Sequence, residues 1–304
     1  MRNEFAKTVF DLGKKNKNIY VLVADISPAG KMFEFEKKFP DRYINVGVAE
    51  QAMVGMGAGL AMSGKRPFLY TISTFALYRP FEMVRVDLCY QNLPVCLVGM
   101  GAGTIYASLG ATHLTQEDIS VARSMPNMQI LAPCDPTELK NSVNFCATKS
   151  IKPTYLRIGK TGEKIYNFKE TEKWKFGKIR KLVNGSDVCI LSFGPIIKKA
   201  FEVKEILKKK KISTEIYSCH TLKPFDNDRM KKIFKKFNKI VIIEDHSEIG
   251  GLANIIKILA YEFKYNGLLK CFSLKDKFLS CYSNQDDLLK MHGINIKGII
   301  KSIK

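Results

Sequence analysis

The sequence predicts an α/β protein of two domains, each a mainly parallel β-sheet flanked by helices on both faces. The chain has 304 residues, which is more than a single domain usually contains. Short apolar runs alternate with longer amphipathic stretches along the chain, the pattern of strands that alternate with helices. A polar, charged segment without periodicity begins at residue 161. It indicates a first domain over 1–160, a linker over 161–186 and a second domain over 187–304.

Strands of the first domain are expected where turn residues close an apolar run, at Tyr20–Ala24, Pro67–Thr71, Val95–Gly99 and Gln129–Ala132. A helix is expected after the last of them, over Asp135–Thr148. The second domain repeats this alternation, with strands expected at Val188–Ser192, Ser213–Tyr217 and Lys239–Glu244. Its helices are expected at Ile196–Lys209, at Asp228–Phe237 and after the pair Gly250 and Gly251.

The chain has a formal net charge of +20 at pH 7, which would suit a nucleic-acid-binding protein. Most of the excess is lysine on the polar faces of predicted helices, without the interleaved aromatic residues or the motif of a nucleic-acid-binding module. A lysine-rich surface, or one that attracts small anions, explains the charge better. The sequence also lacks a membrane-spanning apolar run and the hydrophobic region of a signal peptide, so we expect a cytoplasmic protein without nucleic-acid or membrane partners.

The 8 cysteines and 4 histidines do not show the spacing of metal ligands. The cysteines lie in apolar runs without a C-x-x-C pair, as reduced thiols in a core do. The histidines stand singly, without the paired spacing of zinc proteins. We therefore expect no metal site formed by this chain alone.

A carboxylate, Glu50, stands where a strand-like run meets a helix rich in glycine and alanine, in INVGVAEQAMVGMGAGLAMSG at 44–64. In the first turn of a helix, a negative charge is stabilised by the helix dipole, and that ordinary role needs no ligand. The small residues of the GMGAG run indicate only that something packs closely on this helix.

Two aromatic residues, Phe75 and Tyr78, lie three positions apart in TISTFALYRPFEMVR at 71–85 and would share one face of a helix. Taken alone, this spacing is more typical of a protein core than of a cofactor site. The sequence pattern by itself therefore favours a structural role for both.

A loop rich in glycine, alanine and serine follows the third predicted strand, as GMGAGTIYASLGATHLTQEDI at 99–119. Such a loop can approach a ligand closely. No Lys-Ser or Lys-Thr pair follows, which excludes a P-loop. His113 lies in this loop. Without further evidence, it is interpreted as a loop residue with a structural hydrogen bond and no ligand.

These segments resemble the motifs of transketolases and related thiamine-diphosphate enzymes. RYINVGVAEQAMVGMGAGLA resembles the signature of their pyrimidine-binding domain, the F-x-x-Y at 75–78 resembles theirs, and G-A-T-H at 110–113 resembles G-P-T-H or G-x-T-H. ADISPAG at 24–30, PTYLRIGK at 153–160, TLKPFD at 221–226 and EDHSEIGGLAN at 244–254 also resemble family segments. The whole chain is thus similar to the C-terminal section of a split transketolase, a pyrimidine-binding domain followed by a transketolase C-terminal domain.

The resemblance implies roles in thiamine-diphosphate binding and catalysis. Glu50 matches the catalytic glutamate, whose carboxyl group hydrogen-bonds N1′ of the aminopyrimidine and favours the tautomer that accepts the C2 proton. Phe75 would lie against the aminopyrimidine face, Tyr78 near its 4′-amino edge and Asp25 near the cofactor. His113 would face the thiazolium, contact the substrate and assist proton transfers.

The residues that the resemblance assigns to the substrate depart in part from the family pattern. Arg157 or Lys160 would be available to a substrate phosphate, although Lys160 replaces a usual Arg. Leu109 stands where a substrate-binding Asp is usual, Gly101 where a phosphate-contacting His is usual and Ala29 where a Ser is usual. A site without these polar contacts should bind ordinary polyol phosphates poorly, which makes a deoxy, branched or nucleotide-linked sugar plausible.

Thiamine-diphosphate enzymes hold Mg²⁺ and the diphosphate with a G-D-G motif and a later Asn, and this sequence has no G-D-G. The resemblance therefore implies a partner chain, the N-terminal section, that carries these ligands. Two copies of each chain would form an α2β2 heterotetramer, with the cofactor at the interface of the chains. The expected reaction, part of carbohydrate metabolism, moves a two-carbon ketol unit from a ketose to an aldose, each a sugar or sugar phosphate.

Three alternatives remain open at the level of sequence. A 1-deoxyxylulose-5-phosphate synthase normally keeps its diphosphate domain in the same chain, and the beta chain of a 2-oxo-acid dehydrogenase usually lacks G-x-T-H followed by E-D. A noncatalytic scaffold of the same fold is disfavoured because Glu50, Phe75 and His113 are all present. A neighbouring gene for a chain with G-D-G and Asn would favour the split transketolase.

Overall fold

A computed structural model describes residues 1–26, 30–160, 162–279 and 283–303 of the chain. Its α-helices are α1 (Arg2–Lys15), α2 (Lys31–Lys38), α3 (Glu50–Met62), α4 (Ser73–Leu77), α5 (Phe81–Met83), α6 (Asp118–Ser124), α7 (Pro136–Thr148), α8 (Ile197–Lys209), α9 (Asn227–Lys236), α10 (Leu252–Glu262), α11 (Gln285–Met291) and α12 (Ile296–Ile303). Its strands are β1 (Ile19–Val23), β2 (Tyr43–Asn45), β3 (Arg66–Ile72), β4 (Cys96–Met100), β5 (Gln129–Leu131), β6 (Thr154–Ile158), β7 (Arg180–Val183), β8 (Val188–Ser192), β9 (Thr214–Ser218), β10 (Thr221–Lys223), β11 (Lys239–Ser247) and β12 (Leu268–Leu274). Short 3-10 helices cover Pro40–Arg42, Ala107–Leu109 and Ala111–His113, and a π-helix covers Val84–Tyr90.

The strands form two sheets, one for each predicted domain. The first sheet has seven strands in the order β10-β5-β6-β4-β3-β1-β2, and the second has five in the order β12-β11-β8-β9-β7. All neighbours are parallel except β10 with β5 and β7 with β9. The prediction of two domains with mainly parallel sheets is confirmed.

The domain boundary is less simple than the sequence suggests. Strand β7 lies inside the segment 161–186 that the composition marks as a linker, and it pairs with β9 as an edge of the second sheet. Strand β10 comes from the second half of the chain, yet it pairs with β5 and closes the first sheet. The second half of the chain is therefore tied to the first sheet by strand β10 as well as by side chains.

Helix α3 packs on β3 through a glycine. A Cβ atom added at Gly57 would lie 2.7 Å from a methyl carbon of Leu69, so a larger residue would push the helix away from this strand. Gly55 and Gly59 lie on the opposite side of the helix, where an added Cβ would meet nothing within 4 Å. The close approach holds the middle of α3, the helix that begins at Glu50, against β3.

A buried ion pair within the first domain also reaches the second domain through a hydrogen bond of its arginine. Arg157 on β6 donates from Nε to Oδ2 of Asp118 at 2.8 Å and from Nη2 to the backbone carbonyl of Asp245 on β11 at 2.8 Å. The Arg157 side chain is only 3% exposed. The carboxylate of Asp245 accepts from the Thr104 hydroxyl at 2.8 Å, which attaches the loop after β4 to the second domain.

A histidine borders this ion pair without carrying charge. Nε2 of His246 lies 3.9 Å from Oδ1 of Asp118. Burial lowers the pKa of His246 to about 4, although the negative charge of Asp118 opposes the shift. His246 is therefore neutral near pH 7, and Arg157 supplies the positive charge that balances Asp118.

The cysteines that the structure describes are free thiols, and all of them except Cys271 are buried. Within the described ranges, no helix combines the length and the apolar composition needed to cross a bilayer.

Replacing Arg157 by methionine should destabilise the fold by about 3–5 kcal/mol, because the buried Asp118 carboxylate would lose its charged partner. Urea unfolding monitored by circular dichroism measures the change. Lys7→Met is the matched control, since Lys7 and its partner Asp11 form an exposed ion pair. An equally small change in both variants would show that Arg157 does not hold the domains together.

Candidate active site

The candidate site lies at one edge of the first sheet. Strands β6, β4, β3, β1 and β2 run parallel and side by side, so the residues that follow them meet at their carboxyl ends. This edge is where open α/β sheets commonly bind ligands. The side chains of Glu50, Phe75 and His113 follow β2, β3 and β4 respectively and lie there.

Glu50 begins helix α3 and is 4% exposed. Oε1 of its carboxylate accepts a hydrogen bond from Nη1 of Arg79 at 2.9 Å. Within the described part of the chain, Arg79 is the one residue seen to donate to this carboxylate, so Oε2 stays available to a ligand. The carboxylate thus combines burial with an unused acceptor, as a ligand-binding group does.

Phe75 belongs to α4, the short helix that follows β3. The guanidinium carbon of Arg79 lies 3.9 Å from the centroid of the Phe75 ring. The imidazole of His113 contacts the same ring edge to face, with centroids 5.2 Å apart. Phe75 therefore connects the carboxylate side of the site with the histidine side.

The His113 loop is pinned to α4 by hydroxyl groups. Oγ1 of Thr115 lies 3.0 Å from Oγ of Ser73 and accepts from the Gly103 amide at 2.7 Å. His113 itself is half-buried, and its Nδ1 lies 2.9 Å from the Thr112 hydroxyl. A hydrogen bond at Nδ1 orients the ring and leaves Nε2 for a ligand.

Tyr106 forms a wall between His113 and Lys160. Its ring centroid lies 6.1 Å from that of His113 and 5.0 Å from the Lys160 ammonium nitrogen. The Tyr106 hydroxyl lies 3.0 Å from the sulfur of Met100. Gly101 has φ 70°, and an added Cβ there would overlap the Tyr106 ring. A histidine at position 101 is therefore incompatible with this loop conformation, which gives a physical reason for the departure noted in the sequence.

Tyr78 lies directly after α4 and is half-buried. Its hydroxyl donates to Oε2 of Glu117 at 2.9 Å. Burial, followed by the negative charges of Asp118 and Glu117, raises the pKa of Tyr78, so the hydroxyl keeps its proton. Tyr78 reaches the loop that carries His113 rather than the Glu50 carboxylate.

The remaining predicted site residues differ in position. Asp25 follows β1 and is exposed, with φ 44° and its amide bonded to Oδ1 of Asn45 at 3.1 Å.

The predicted substrate-binding residues are not all in one place. Leu109 and Lys160 are exposed near the Tyr106 wall, so both can meet a ligand. Arg157 does not join them, because it is buried, paired with Asp118 and bonded to the Asp245 carbonyl of the second domain. Ala29 lies outside the described residues.

Two residues of the site escaped prediction from the sequence. Arg79 lies four positions after Phe75, a spacing that brings side chains together on a helix, so its contact could have been anticipated. Tyr106 gave no comparable signal, because its place depends on the path of an irregular loop.

Two family models match the chain. Residues 1–162 match the family model "Transketolase, pyrimidine binding domain", and residues 177–299 match "Transketolase, C-terminal domain". The chain belongs to the transketolase family.

Relatives with known names fall into two groups. A Methanocaldococcus jannaschii protein, named as a candidate transketolase C-terminal section, is 38% identical over 100% of this chain and 95% of its own. One of the subunits of the apulose-4-phosphate transketolase of Phocaeicola vulgatus is 29% identical over 99% of this chain and 95% of its own. The 1-deoxy-D-xylulose-5-phosphate synthase of Clostridium tetani is 34% identical over 98% of this chain, which spans only 48% of that enzyme.

The fold of the chain is also similar to that of a solved structure. The protein described as a split gene transketolase, inactive beta4 tetramer, superposes with a TM-score of 0.88 and 31% identity, over 99% of this chain and 96% of that one.

Replacing Gly101 by alanine should destabilise the fold more than replacing Gly64. Both glycines have positive φ, so both changes cost about 1–2 kcal/mol in backbone strain. Gly64 has nothing within 4 Å of an added Cβ, whereas Gly101 meets the Tyr106 ring, which should add about 1–3 kcal/mol. Urea unfolding compares the variants. Equal losses would show that Tyr106 does not occupy the space above Gly101.

Proposed function

We propose that this chain is one subunit of a split transketolase that moves a two-carbon ketol unit from a ketose to an aldose. Thiamine diphosphate would bind between this chain and a partner that carries the N-terminal section. The observation that carries the proposal is the meeting of Glu50, Phe75 and His113 at one sheet edge, since the family resemblance assigns these residues to the cofactor and the substrate.

The residues present fit the aminopyrimidine half of the cofactor. Glu50 offers a buried carboxylate with an unused oxygen, and Phe75 offers a half-buried ring in the same region. A planar heterocycle can stack on the ring while its N1′ meets the carboxylate. Asp25 follows β1 and Tyr78 follows α4 at the same edge of the sheet, where the resemblance assigns both to the cofactor.

Thiamine diphosphate, when bound, supplies the nucleophilic carbon that ketol transfer requires. Glu50 would hold N1′ and control the protonation of the pyrimidine ring. His113 would donate to, or accept from, a substrate oxygen through Nε2, because Thr112 engages Nδ1. Lys160, exposed beside Tyr106, would meet an anionic group of the substrate.

The ligands of Mg²⁺ and of the diphosphate would come from the partner. Within the described part of the chain, no three His, Cys, Asp or Glu side chains are grouped as a metal would need. The sequence also lacks the G-D-G motif. The family resemblance places that motif on the N-terminal section.

An exposed apolar face supports the proposed assembly as a dimer within an α2β2 complex. On α3, Met56 is 43% exposed and Met62 is 67% exposed, and Gly55 and Gly59 leave the surface between them open. Apolar side chains beside bare backbone suit close packing with another protein surface.

The substrate is proposed to be an unusual sugar or sugar phosphate. The Tyr106 wall excludes a histidine at Gly101, and Leu109 presents an apolar surface where a carboxylate is usual. Fewer hydrogen bonds to sugar hydroxyls should disfavour ordinary polyol phosphates. The relative from Phocaeicola vulgatus is named for a branched-sugar substrate, apulose 4-phosphate.

A 1-deoxyxylulose-5-phosphate synthase activity is the second candidate, because such enzymes match 98% of this chain at 34% identity. The two reactions differ in the donor, which is a ketose for the transketolase and pyruvate for the synthase. Incubating the reconstituted complex with ¹³C-labelled ketoses or pyruvate and a panel of aldoses, followed by mass spectrometry, separates them. We expect label transfer from a ketose, and carbon dioxide release from pyruvate would contradict the proposal.

In that complex, Glu50→Gln should slow exchange of the C2 proton of the cofactor by about 10²–10⁴-fold, because an amide controls N1′ protonation poorly. Exchange is measured by quenched-flow NMR, with assembly checked by gel filtration. Glu82→Gln on α5 is the control, since Glu82 is exposed. Wild-type exchange in the Glu50 variant would defeat the assignment, whereas loss of assembly would identify Glu50 as an interface residue.

A further inference from the structure

We propose that Arg79 is a residue of the cofactor site and that, in the free chain, its guanidinium occupies the place of the aminopyrimidine. The inference rests on the proposed function, which assigns Glu50 and Phe75 to that ring. It adds that cofactor entry requires Arg79 to move away from both residues.

Two contacts place Arg79 in this position. Nη1 lies 2.9 Å from Oε1 of Glu50, the distance of a charge-assisted hydrogen bond. The guanidinium carbon lies 3.9 Å from the centroid of the Phe75 ring, the distance of planar stacking. The flat guanidinium therefore makes the two interactions that an aminopyrimidine would make, a hydrogen bond to Glu50 and a stack on Phe75.

The stack of the guanidinium on Phe75 cannot coexist with an aminopyrimidine on the same face of that ring. A guanidinium stacked on the Phe75 ring excludes an aromatic ring from that face, and its bond to Glu50 uses an oxygen beside the one left for N1′. The positive charge would also repel the positively charged thiazolium of the cofactor. Displacement is thus required on steric and on electrostatic grounds.

The position of Arg79 permits this displacement. Its side chain is 46% exposed, and it contacts Glu50 and Phe75 through the guanidinium at its tip. A long, half-exposed side chain can turn into solvent without disturbing the core. In the free chain, the same side chain is the partner that the described residues provide for the Glu50 carboxylate, which is 4% exposed.

The cost of displacement should appear in the affinity for the pyrimidine ring. A partly exposed ion pair and a cation–π contact are both weak, so Arg79→Met should tighten binding by roughly three- to tenfold. Arg79→Lys keeps the charge but not the planar stack, so its affinity for the pyrimidine should lie between those of the wild type and Arg79→Met. Arg85→Met is the matched control, an exposed arginine on the same stretch of chain.

The probe is 4-amino-5-hydroxymethyl-2-methylpyrimidine, titrated into the full chain and followed by saturation-transfer NMR. Weaker binding in Glu50→Gln and Phe75→Ala would show that the probe binds at these two residues. Tighter binding in Arg79→Met, with Arg85→Met unchanged, would support displacement. Unchanged or weaker binding in Arg79→Met would overturn the inference while the pyrimidine site itself stands.

A second measurement shows whether the probe displaces the Arg79 guanidinium or binds beside it. The Arg79 Nε–H resonance of the wild-type chain should shift and exchange faster with water when the probe binds, because the stack on Phe75 is released. A resonance that does not change at probe saturation would also overturn the inference. Binding that is indifferent to Glu50 and Phe75, or no binding in any variant, would overturn this inference, whereas the ketol-transfer assay of the reconstituted complex tests the proposed function separately.

Discussion

The architecture depends on the buried ion pair between Arg157 and Asp118. Asp118 begins α6 at the end of the His113 loop, and Arg157 lies on β6, an inner strand of the first sheet. The second Arg157 hydrogen bond reaches β11 of the other domain. A buried carboxylate and a buried guanidinium are each costly alone, so the two domains and the loop have one arrangement that satisfies both charges. The same contact explains why Arg157 is absent from the candidate site.

The sequence predicted most of the fold because parallel strands buried on both faces are continuous apolar runs. Strand β8 has the predicted bounds, Val188–Ser192. The exceptions have physical causes. Strand β7 lies in a polar segment, and β10 is short and pairs with the other domain, so its partner cannot be read from local sequence. Pairing between distant segments is a property of the tertiary structure.

The candidate site was predictable where side chains belong to motifs at element ends, as for Glu50, Phe75 and His113. The resemblance could not predict which residues contact the side chains of Glu50 and Phe75 in the free chain. Arg79 fills the space between Glu50 and Phe75, and Tyr106 closes the space above Gly101. Both depend on side-chain and loop conformation. The free chain therefore presents a site in which one oxygen of Glu50 and the ring of Phe75 already contact Arg79.

The central claim is that this chain supplies half of a cofactor site and needs a partner for the other half. Titration calorimetry of thiamine diphosphate with Mg²⁺, into the chain alone and into the chain mixed with its N-terminal-section partner, tests it directly. We predict tight, saturable binding only in the mixture, since the diphosphate and metal ligands would come from the partner. Micromolar or tighter binding by the chain alone would contradict the claim.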